Sequence, residues 1–185
     1  MRALMLEVDE ALLERRRQWG ADVWDEMWEG VLHMVPPPAG RHQDIGGQLL
    51  AALLPLARSR GLRLTYETGL YRTDHDYRVP DLMAYERAAA SRRGVDGAPV
   101  LVVEIRSPGD ESDAKVPWYI EQGAREVLVV DRDTLALELY GPDGPVPPEP
   151  GGSATLATLG ARIRPTGQGL AVDGPSGTAE VNDLD

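Results

Sequence analysis

Cysteine is absent from the 185 residues of the chain. This absence excludes a disulfide scaffold, a thiolate zinc site and a cysteine nucleophile. No run approaches the ~18 consecutive apolar residues of a membrane helix, and acidic residues interrupt the N-terminal segment by Glu7. We therefore expect no signal peptide, no membrane partner and a cytoplasmic location. The hydrophobic fraction of 42% is ordinary, so the chain can bury a core.

Lysine is nearly absent as well. Of the 19 basic residues, 18 are arginine, and Lys115 is the one lysine. Lysine is a compact charge whose pKa shifts on burial, and arginine cannot replace it in such chemistry. A coding bias toward arginine explains the same count and, taken alone, is the simpler explanation.

Basic residues are also outnumbered, because 30 acidic residues give a net charge of −11 at pH 7. This balance argues against broad, non-specific nucleic-acid binding, which needs a positive surface, but it leaves a local groove open. The clustered arginines are expected on solvated faces rather than along a track of phosphates; they are residues 15–17, Arg58, Arg60, Arg63, Arg92 and Arg93.

Hydrophobic periodicity predicts helices over residues 9–20, 42–60 and 113–122. Pro55 predicts a kink or an early end of the second helix, and Asp113 is the expected N-cap of the third, with Pro117 in its first turn. Strands are predicted at 31–35, 62–66, 70–73, 77–79, 82–85, 100–105, 127–130 and 135–140.

The chain length favours one main domain, which we place at residues 1–140. Nine of the twelve residues 141–152 are proline or glycine, so 141–153 is predicted to be a linker or a loop. Residues 154–185 are expected to form two short strands, at 154–163 and 170–172, followed by a disordered tail from Asp173.

Residues 100–131 read as a strand, a helix and a second strand. Both strands are continuous apolar runs, which are typical of parallel strands buried on two faces. Sites in such sheets lie at the carboxyl ends of the strands, and Glu104 is near such an end. Asp81 directly precedes another predicted strand, at 82–85. Two carboxylates and a nearby lysine suit a magnesium site that hydrolyses a phosphodiester, although the spacing alone does not show that they converge.

The order Pro80-Asp81, Glu104, Lys115 resembles the PD-(D/E)xK nuclease pattern. The wider context resembles the Uma-two family of bacterial restriction endonucleases. The resemblance runs in order over roughly residues 20–140. It is carried by the segments 25–30, 36–38 with His42-Gln43, 79–82, 102–108, Lys115 with Tyr119, and 126–131. One departure from the wider pattern is that Arg106 stands where the lysine is usual, and this family shows the same displacement of the lysine.

The resemblance implies an α/β fold of restriction-endonuclease type, with a mixed central sheet flanked by helices. It also implies an endonuclease that hydrolyses DNA with Mg²⁺, for which Mn²⁺ can substitute. Asp81, Glu104 and the Ile105 carbonyl would hold the metal, and Glu26 could complete the site. Lys115 would orient water or stabilise the transition state. On this basis we expect Lys115→Ala to abolish cleavage and leave the melting temperature nearly unchanged.

Each of the other candidate residues has an alternative role. His42 is a possible phosphate or water contact, or an ordinary surface residue at a helix start. Arg106 could contact phosphate or form a salt bridge with Glu104. Tyr119 lies one turn after Lys115, so it could contact phosphate or water, although core packing with a free hydroxyl is the expected role. Lys115 itself could simply neutralise Glu104 in a fold without metal.

A second function from another class stays open, namely a non-catalytic binding or assembly module that keeps the nuclease fold. The net charge motivates it, because surfaces that cut DNA are usually basic. The feature that separates the two is a positive groove leading to the acids, lined by the clustered arginines. A homodimer is also possible, since cutting both strands of a duplex suits two-fold symmetry.

Overall fold

The computed structural model describes residues 3–5, 9–20 and 22–182. Three α-helices, two short 3₁₀ helices (Arg87–Ala89 and Pro150–Gly152) and fifteen strands lie in these ranges. The α-helices are α1 (Glu10–Gln18), α2 (Gly40–Ser59) and α3 (Ser112–Glu121). The strands are β1 (Ala3–Met5), β2 (Glu26–Trp28), β3 (Val31–Met34), β4 (Leu62–Tyr66), β5 (Leu70–Thr73), β6 (Asp76–Arg78), β7 (Leu82–Glu86), β8 (Leu101–Arg106), β9 (Glu126–Asp131), β10 (Leu137–Gly141), β11 (Gly144–Val146), β12 (Ala154–Leu156), β13 (Ala161–Thr166), β14 (Gly169–Gly174) and β15 (Gly177–Asn182).

The central sheet has six strands in the order β11-β10-β9-β8-β7-β4. Strands β8 and β9 are parallel and are joined through α3, as the two buried apolar runs predict. Every other pairing in this sheet is antiparallel. The sheet is therefore mixed and flanked by helices, which confirms the predicted α/β class.

Alternation along the central strands gives the sheet two different faces. Leu101, Val103 and Ile105 of β8 point toward α2, and their neighbour Val102 points toward α3. The apolar stripe of α2, which includes Leu49 and Leu53, fills the first face. The next residue on the α3 face of β8 after Val102 is Glu104, so the alternation aims a carboxylate at α3.

Helix α2 continues past Pro55 to Ser59, so the proline does not end it. Pro55 and Ala51 are both exposed. Because a proline has no N–H for the carbonyl four residues earlier, the Ala51 carbonyl can bond water at this surface. The early end expected at Pro55 is therefore wrong.

Helix α3 begins one residue earlier than predicted. Its N-cap is Glu111, which makes no side-chain capping bond, and Asp113 lies inside the first turn. There Asp113 accepts a hydrogen bond from Arg106 at 3.0 Å instead of capping the helix. Pro117 lies beyond the first turn. The N-cap predicted at Asp113 and the first-turn position of Pro117 are both wrong.

The C-terminal third of the described chain is more ordered than its composition predicts. Strand β11 lies within the segment predicted as a linker or loop and pairs with β10. Strands β12 to β15 form a four-stranded antiparallel sheet whose apolar residues, including Leu156 and Leu170, pack in the same core as α2. The disordered tail predicted from Asp173 is wrong as far as Asn182, and residues 183–185 lie outside the described chain.

A third sheet, in the order β1-β3-β2-β6-β5, lies on the α3 side of the central sheet. Trp118 of α3 donates a hydrogen bond to Asp76 of β6, which joins the two layers. This sheet supplies Glu26 to the site described below. None of the helices in the described ranges is long and apolar enough to cross a membrane.

Candidate active site

Two carboxylates meet where β7 begins and β8 ends. The strands are antiparallel, with Leu82 opposite Val103, so Asp81 just before β7 comes next to Glu104 near the end of β8. Both carboxylates line one pocket of about 500 Å³, together with Lys115. The structure thus brings together the three residues that the sequence separates.

Two groups, one on β8 and one on α2, hold the Asp81 carboxylate. Its Oδ2 accepts a hydrogen bond from the Ile105 N–H at 2.6 Å. Its Oδ1 lies 3.0 Å from Nε2 of His42, in the first turn of α2. The other ring nitrogen of His42, Nδ1, lies 3.3 Å from the Ser107 hydroxyl. His42 is therefore a buried contact of Asp81 and not an ordinary surface residue.

The Glu104 carboxyl is 2% exposed. Its Oε1 accepts a hydrogen bond from the Tyr119 hydroxyl at 2.5 Å and from Lys115 Nζ at 3.4 Å. No hydrogen bond within the described chain reaches its Oε2. Burial raises the pKa of the Glu104 carboxyl, because the charged form is desolvated and Lys115 offsets only part of that cost.

Lys115 is held between two buried carboxylates. Its Nζ lies 2.7 Å from Glu26 Oε1 and 3.4 Å from Glu104 Oε1. Burial alone would lower the pKa of Lys115, but the charges of Glu104 and Glu26 outweigh it and the net shift is upward. The ammonium therefore stays charged, which suits charge stabilisation and does not suit proton abstraction.

Glu26 has its own full set of donors. Besides Lys115, its Oε1 accepts from the Val79 N–H at 2.9 Å, and its Oε2 accepts from Trp28 Nε1 at 2.7 Å. A carboxylate whose two oxygens are both hydrogen-bonded, and one of which binds an ammonium, is suited to hold Lys115. These contacts differ from those expected of the predicted metal ligand.

Behind Trp28 lies a buried cation. The Arg78 guanidinium is stacked between the rings of Trp28 and Trp118, at 4.3 and 4.5 Å from their centroids. Asp76 accepts a hydrogen bond from Arg78 at 2.9 Å and another from Trp118 Nε1 at 3.1 Å. This layer fixes Trp28, which in turn orients Glu26 toward Lys115.

The donor set of the pocket fits a hard divalent cation. The register of β7 and β8 extends to place Pro80 opposite Ile105. The N–H of Ile105 points toward Asp81, on the β7 side of β8. In a strand, the carbonyl of a residue points to the same side as its N–H, so the Ile105 carbonyl also points toward the β7 side. Pro80 has no N–H to donate to that carbonyl. The Ile105 carbonyl, Glu104 Oε2 and Asp81 are all oxygen donors, which is the ligand type that Mg²⁺ prefers.

No group of three or more His, Asp or Glu side chains in the described ranges forms a ready-made metal cluster. Mg²⁺ is commonly held by one or two carboxylates plus water and substrate phosphate, so two carboxylates and a carbonyl are enough. The residues present therefore fit this ion.

Two of the predicted contacts are corrected by the structure. Arg106 does not line the pocket, and its guanidinium is bound by three other carboxylates: Asp113 at 3.0 Å, Glu138 at 2.7 Å and Asp131 at 3.5 Å. The predicted salt bridge between Arg106 and Glu104 is therefore wrong, and the predicted phosphate contact of Arg106 stays a prediction. Tyr119 is 0% exposed, so it does not reach phosphate or water, and its hydroxyl is bound to Glu104 rather than free.

The clustered arginines, which would have to line a positive groove leading to the acids, do not line this pocket. Arg58, Arg60, Arg63, Arg92 and Arg93 all lie in the described chain, and none of them lines the pocket. Arg58 is near the end of α2, about 24 Å from His42 at 1.5 Å per residue. Arg93 is paired with Asp74 and Asp96. The pocket holds six carboxylates against the two cations Lys115 and Arg132; the acids are Glu26, Glu67, Asp81, Glu104, Asp110 and Glu111.

Sequence reasoning missed several residues of the pocket. Ser107 bonds His42, Arg132 donates to the Ser107 hydroxyl at 3.4 Å, and Trp24 forms part of the wall. Ser107 had a signal, since it follows β8 directly in the segment that carries the family resemblance. Trp24 and Arg132 had none, because their approach depends on pairings between distant segments.

Comparison with known proteins supports this reading of the fold. A family model, Uma2, described as "Putative restriction endonuclease", matches residues 15–164. The structure resembles that of "a putative nuclease belonging to DUF820" from Anabaena variabilis ATCC 29413, with a TM-score of 0.63 and 19% identity over 73% of this chain and 82% of that chain. No curated protein matches the chain. Because the family model spans most of the sequence, the chain belongs to the Uma2 family.

Proposed function

We propose that the protein is a metal-dependent endonuclease that hydrolyses phosphodiester bonds in DNA. The observation that carries this proposal is the meeting of Asp81, Glu104 and Lys115 in one pocket. The family description, restriction endonuclease, supports the same reaction. Hydrolysis needs little covalent chemistry from the protein, so positioned charges and an ordered water supply most of the catalysis.

The metal ligands in this proposal are Asp81, Glu104 through Oε2, and the Ile105 carbonyl. A bound Mg²⁺ or Mn²⁺ would polarise the phosphate and lower the pKa of a ligand water. His42 and the Ile105 N–H hold Asp81 in place. The buried Tyr119 hydroxyl holds Glu104 so that its other oxygen is left for the ion.

Lys115 is assigned to the reacting phosphate. Attack of water forms one P–O bond and breaks the bond to the leaving oxygen, and negative charge builds up on the phosphate oxygens between these events. A charged ammonium at the pocket stabilises that charge. Glu26 is proposed as a positioning residue for Lys115 and not as a metal ligand, because both of its oxygens already accept hydrogen bonds.

The alternative, a non-catalytic binding or assembly module, is favoured by one observation. Six acids face two cations in the pocket, and the clustered arginines lie elsewhere. A phosphate would be repelled there unless cations neutralised the acids. The two candidate functions therefore predict different results. A nuclease cleaves DNA when a divalent ion is present, whereas a binding or assembly module does not cleave DNA under any condition.

A cleavage assay on the whole protein tests the proposal. Single-stranded and duplex DNA are incubated with Mg²⁺, with Mn²⁺ and with a chelator, and the products are resolved by length. We expect cleavage with either ion and none with the chelator. Glu104→Gln and Asp81→Asn should each abolish it. Glu86→Gln is the matched control, because Glu86 is an exposed acid at the far end of the strand that Asp81 precedes. Equal cleavage by Glu104→Gln, or none by the wild type under any condition, would contradict the proposal.

A further inference from the structure

The pocket is lined by two unlike sets of side chains, each of which we call a wall. One carries Asp81, Glu104 and Lys115. The other is built from Trp24 and from Val35 and residues 36–38, the three prolines between β3 and α2. Pro36 and Pro37 are exposed and Trp24 is partly buried. A reacting phosphate at the first wall would therefore lie beside an apolar surface.

The surface that Trp24 presents is made of carbon. Its one polar side-chain atom, Nε1, is buried and has no hydrogen-bond partner in the described part of the chain. The accessible part of the indole is therefore its hydrocarbon ring. A ring that offers no donor to the pocket suits stacking against a flat group and does not suit hydrogen-bonded recognition.

Electrostatics also limit how a nucleic acid is held here. Duplex DNA carries one negative charge per about 1.7 Å of helix axis, and proteins that grip it do so with rows of lysine and arginine. This pocket has only Lys115 and Arg132 as cations, against six acids. Contacts with the phosphates thus contribute little, and another contact must supply the affinity.

We propose that the pocket takes an unpaired nucleotide of a single-stranded DNA segment, with its base stacked on Trp24 and the proline wall. The inference rests on the proposed nuclease function and names its substrate class. Base stacking on aromatic side chains is tolerant of sequence, because every base has a flat face. A base inside a duplex is already stacked on its neighbours and does not offer that face.

The test distinguishes the contribution of the bases to binding affinity from that of the phosphates. Binding of a labelled single-stranded oligonucleotide is measured with Ca²⁺ in place of Mg²⁺, so that a hard cation still neutralises the acids, and the strand length is checked afterwards for cleavage. It is compared with the binding of an abasic oligonucleotide of the same length and of the duplex. We expect the abasic strand to bind about tenfold or more weakly, since each stacked base contributes about that much. The duplex should also bind more weakly than the single strand.

Variants assign the effect to the wall. Trp24→Leu should weaken binding of the normal strand by about tenfold and leave binding of the abasic strand unchanged, because the lost contact is with the base. Trp24→Phe should retain most of the affinity. Trp19→Leu is the matched control, since Trp19 is 74% exposed at the end of α1 and does not line the pocket.

Three results would overturn the inference: equal binding of normal and abasic strands, tighter binding of the duplex, or no effect of a folded Trp24→Leu variant. The comparison of normal and abasic strands uses the wild type, so it remains decisive if Trp24→Leu does not fold. The proposed function is judged separately. Metal-dependent cleavage without base-dependent binding removes the stacked-base inference and leaves the nuclease, whereas absence of cleavage with metal contradicts the nuclease itself.

Discussion

The two faces of the six-stranded sheet bury different kinds of side chain. Against α2 and the C-terminal sheet, the core is aliphatic, with Leu49, Leu53 and Leu156 fully buried. Against α3 and the five-stranded sheet, apolar residues share the interior with charged ones: Glu26, Asp76, Arg78, Glu104 and Lys115. The same strands thus bury aliphatic side chains on one face and a network of charged side chains on the other.

This difference separates the residues that stabilise the fold from the residues that carry the proposed chemistry. Burying apolar area is favourable at roughly 25 cal/mol per Å², whereas buried ion pairs often contribute no more than the apolar groups that could replace them. The α2 face therefore stabilises the fold, and the charges on the α3 face are explained by what they do at the pocket. Substitutions on the two faces should therefore differ in their effects on stability and on cleavage.

Lys115→Ala should have the largest effect, because it removes both a catalytic charge and the partner of two buried carboxylates. Breaking a buried pair from one side costs about 3–5 kcal/mol. Loss of one group that stabilises charge in the transition state costs about 100- to 1,000-fold in rate. Because Lys115 pairs with two buried carboxylates, we expect Lys115→Ala to lower the melting temperature. The sequence alone led us to expect a nearly unchanged melting temperature. Thermal unfolding and a cleavage assay measure the two effects, and retained activity in a folded variant would refute the assigned role.

Leu53→Ala probes the opposite face. Removing a fully buried leucine should cost about 2–5 kcal/mol of unfolding free energy. Leu53 touches neither the acids nor Lys115, so the cleavage rate of the folded protein should equal that of the wild type. Denaturant unfolding and initial rates at a temperature where both proteins are folded check this. A rate loss as large as that of Lys115→Ala would show that the two faces are not separable.

Asp76→Asn should cost about 1–3 kcal/mol, because Arg78 would keep its buried charge without the carboxylate that neutralises it. Burial opposes ionisation of Asp76, but hydrogen bonds from Trp118, the Glu29 N–H and Arg78 bring the net pKa below its ordinary value of 3.8. A lowered pKa means that the contribution is complete above 3.8 and is lost as the pH falls through the folded pKa.

The melting temperatures of the wild type and Asp76→Asn should accordingly differ at neutral pH and converge in acid. The measurement is thermal unfolding of both proteins across a pH series. A difference that stays constant down to strongly acidic pH would show that the charge of Asp76 contributes nothing, and that its hydrogen bonds alone hold the layer behind Glu26.

We expect the smallest effects from substitutions of arginines. The comparison is between Arg58 and Arg63, which lie far from the pocket, and Arg132, which lines it. Arg58→Ala and Arg63→Ala change exposed side chains far from the pocket, so stability should stay within about 0.5 kcal/mol and DNA affinity should not change. Arg132→Ala should weaken binding across all sequences and lower the salt dependence of binding by about one phosphate contact. Affinity measured at several salt concentrations distinguishes them. A larger effect at Arg58 than at Arg132 would place the nucleic acid on another surface.

Part of this arrangement is predictable from sequence. The alternation in β8 puts Glu104 on the same face as Val102, and helical spacing puts Lys115 and Tyr119 on one side of α3. Those local periodicities, with the Pro80-Asp81 pair and the family resemblance, were enough to predict the mixed sheet and the central residues of the site.

The remainder depends on contacts between distant segments. Nothing near Glu26 in the sequence shows that its partners are Lys115, Trp28 and the Val79 N–H. The four-stranded C-terminal sheet was predicted only in part, as two short strands at 154–163 and 170–172, for a different reason. Its strands are short, rich in glycine and weak in apolar periodicity, and they become stable by pairing with one another and packing on α2.

The most direct test of the account is the position of a metal ion in a crystal. Crystals of the protein would be soaked in Mn²⁺, with and without a short oligonucleotide, and the anomalous signal measured. We expect an anomalous peak within coordination distance of Asp81, Glu104 Oε2 and the Ile105 carbonyl, with Lys115 still bound to Glu26. Absence of a peak at these oxygens in both crystals would contradict the metal-dependent site and make a binding or assembly role the better explanation of the fold.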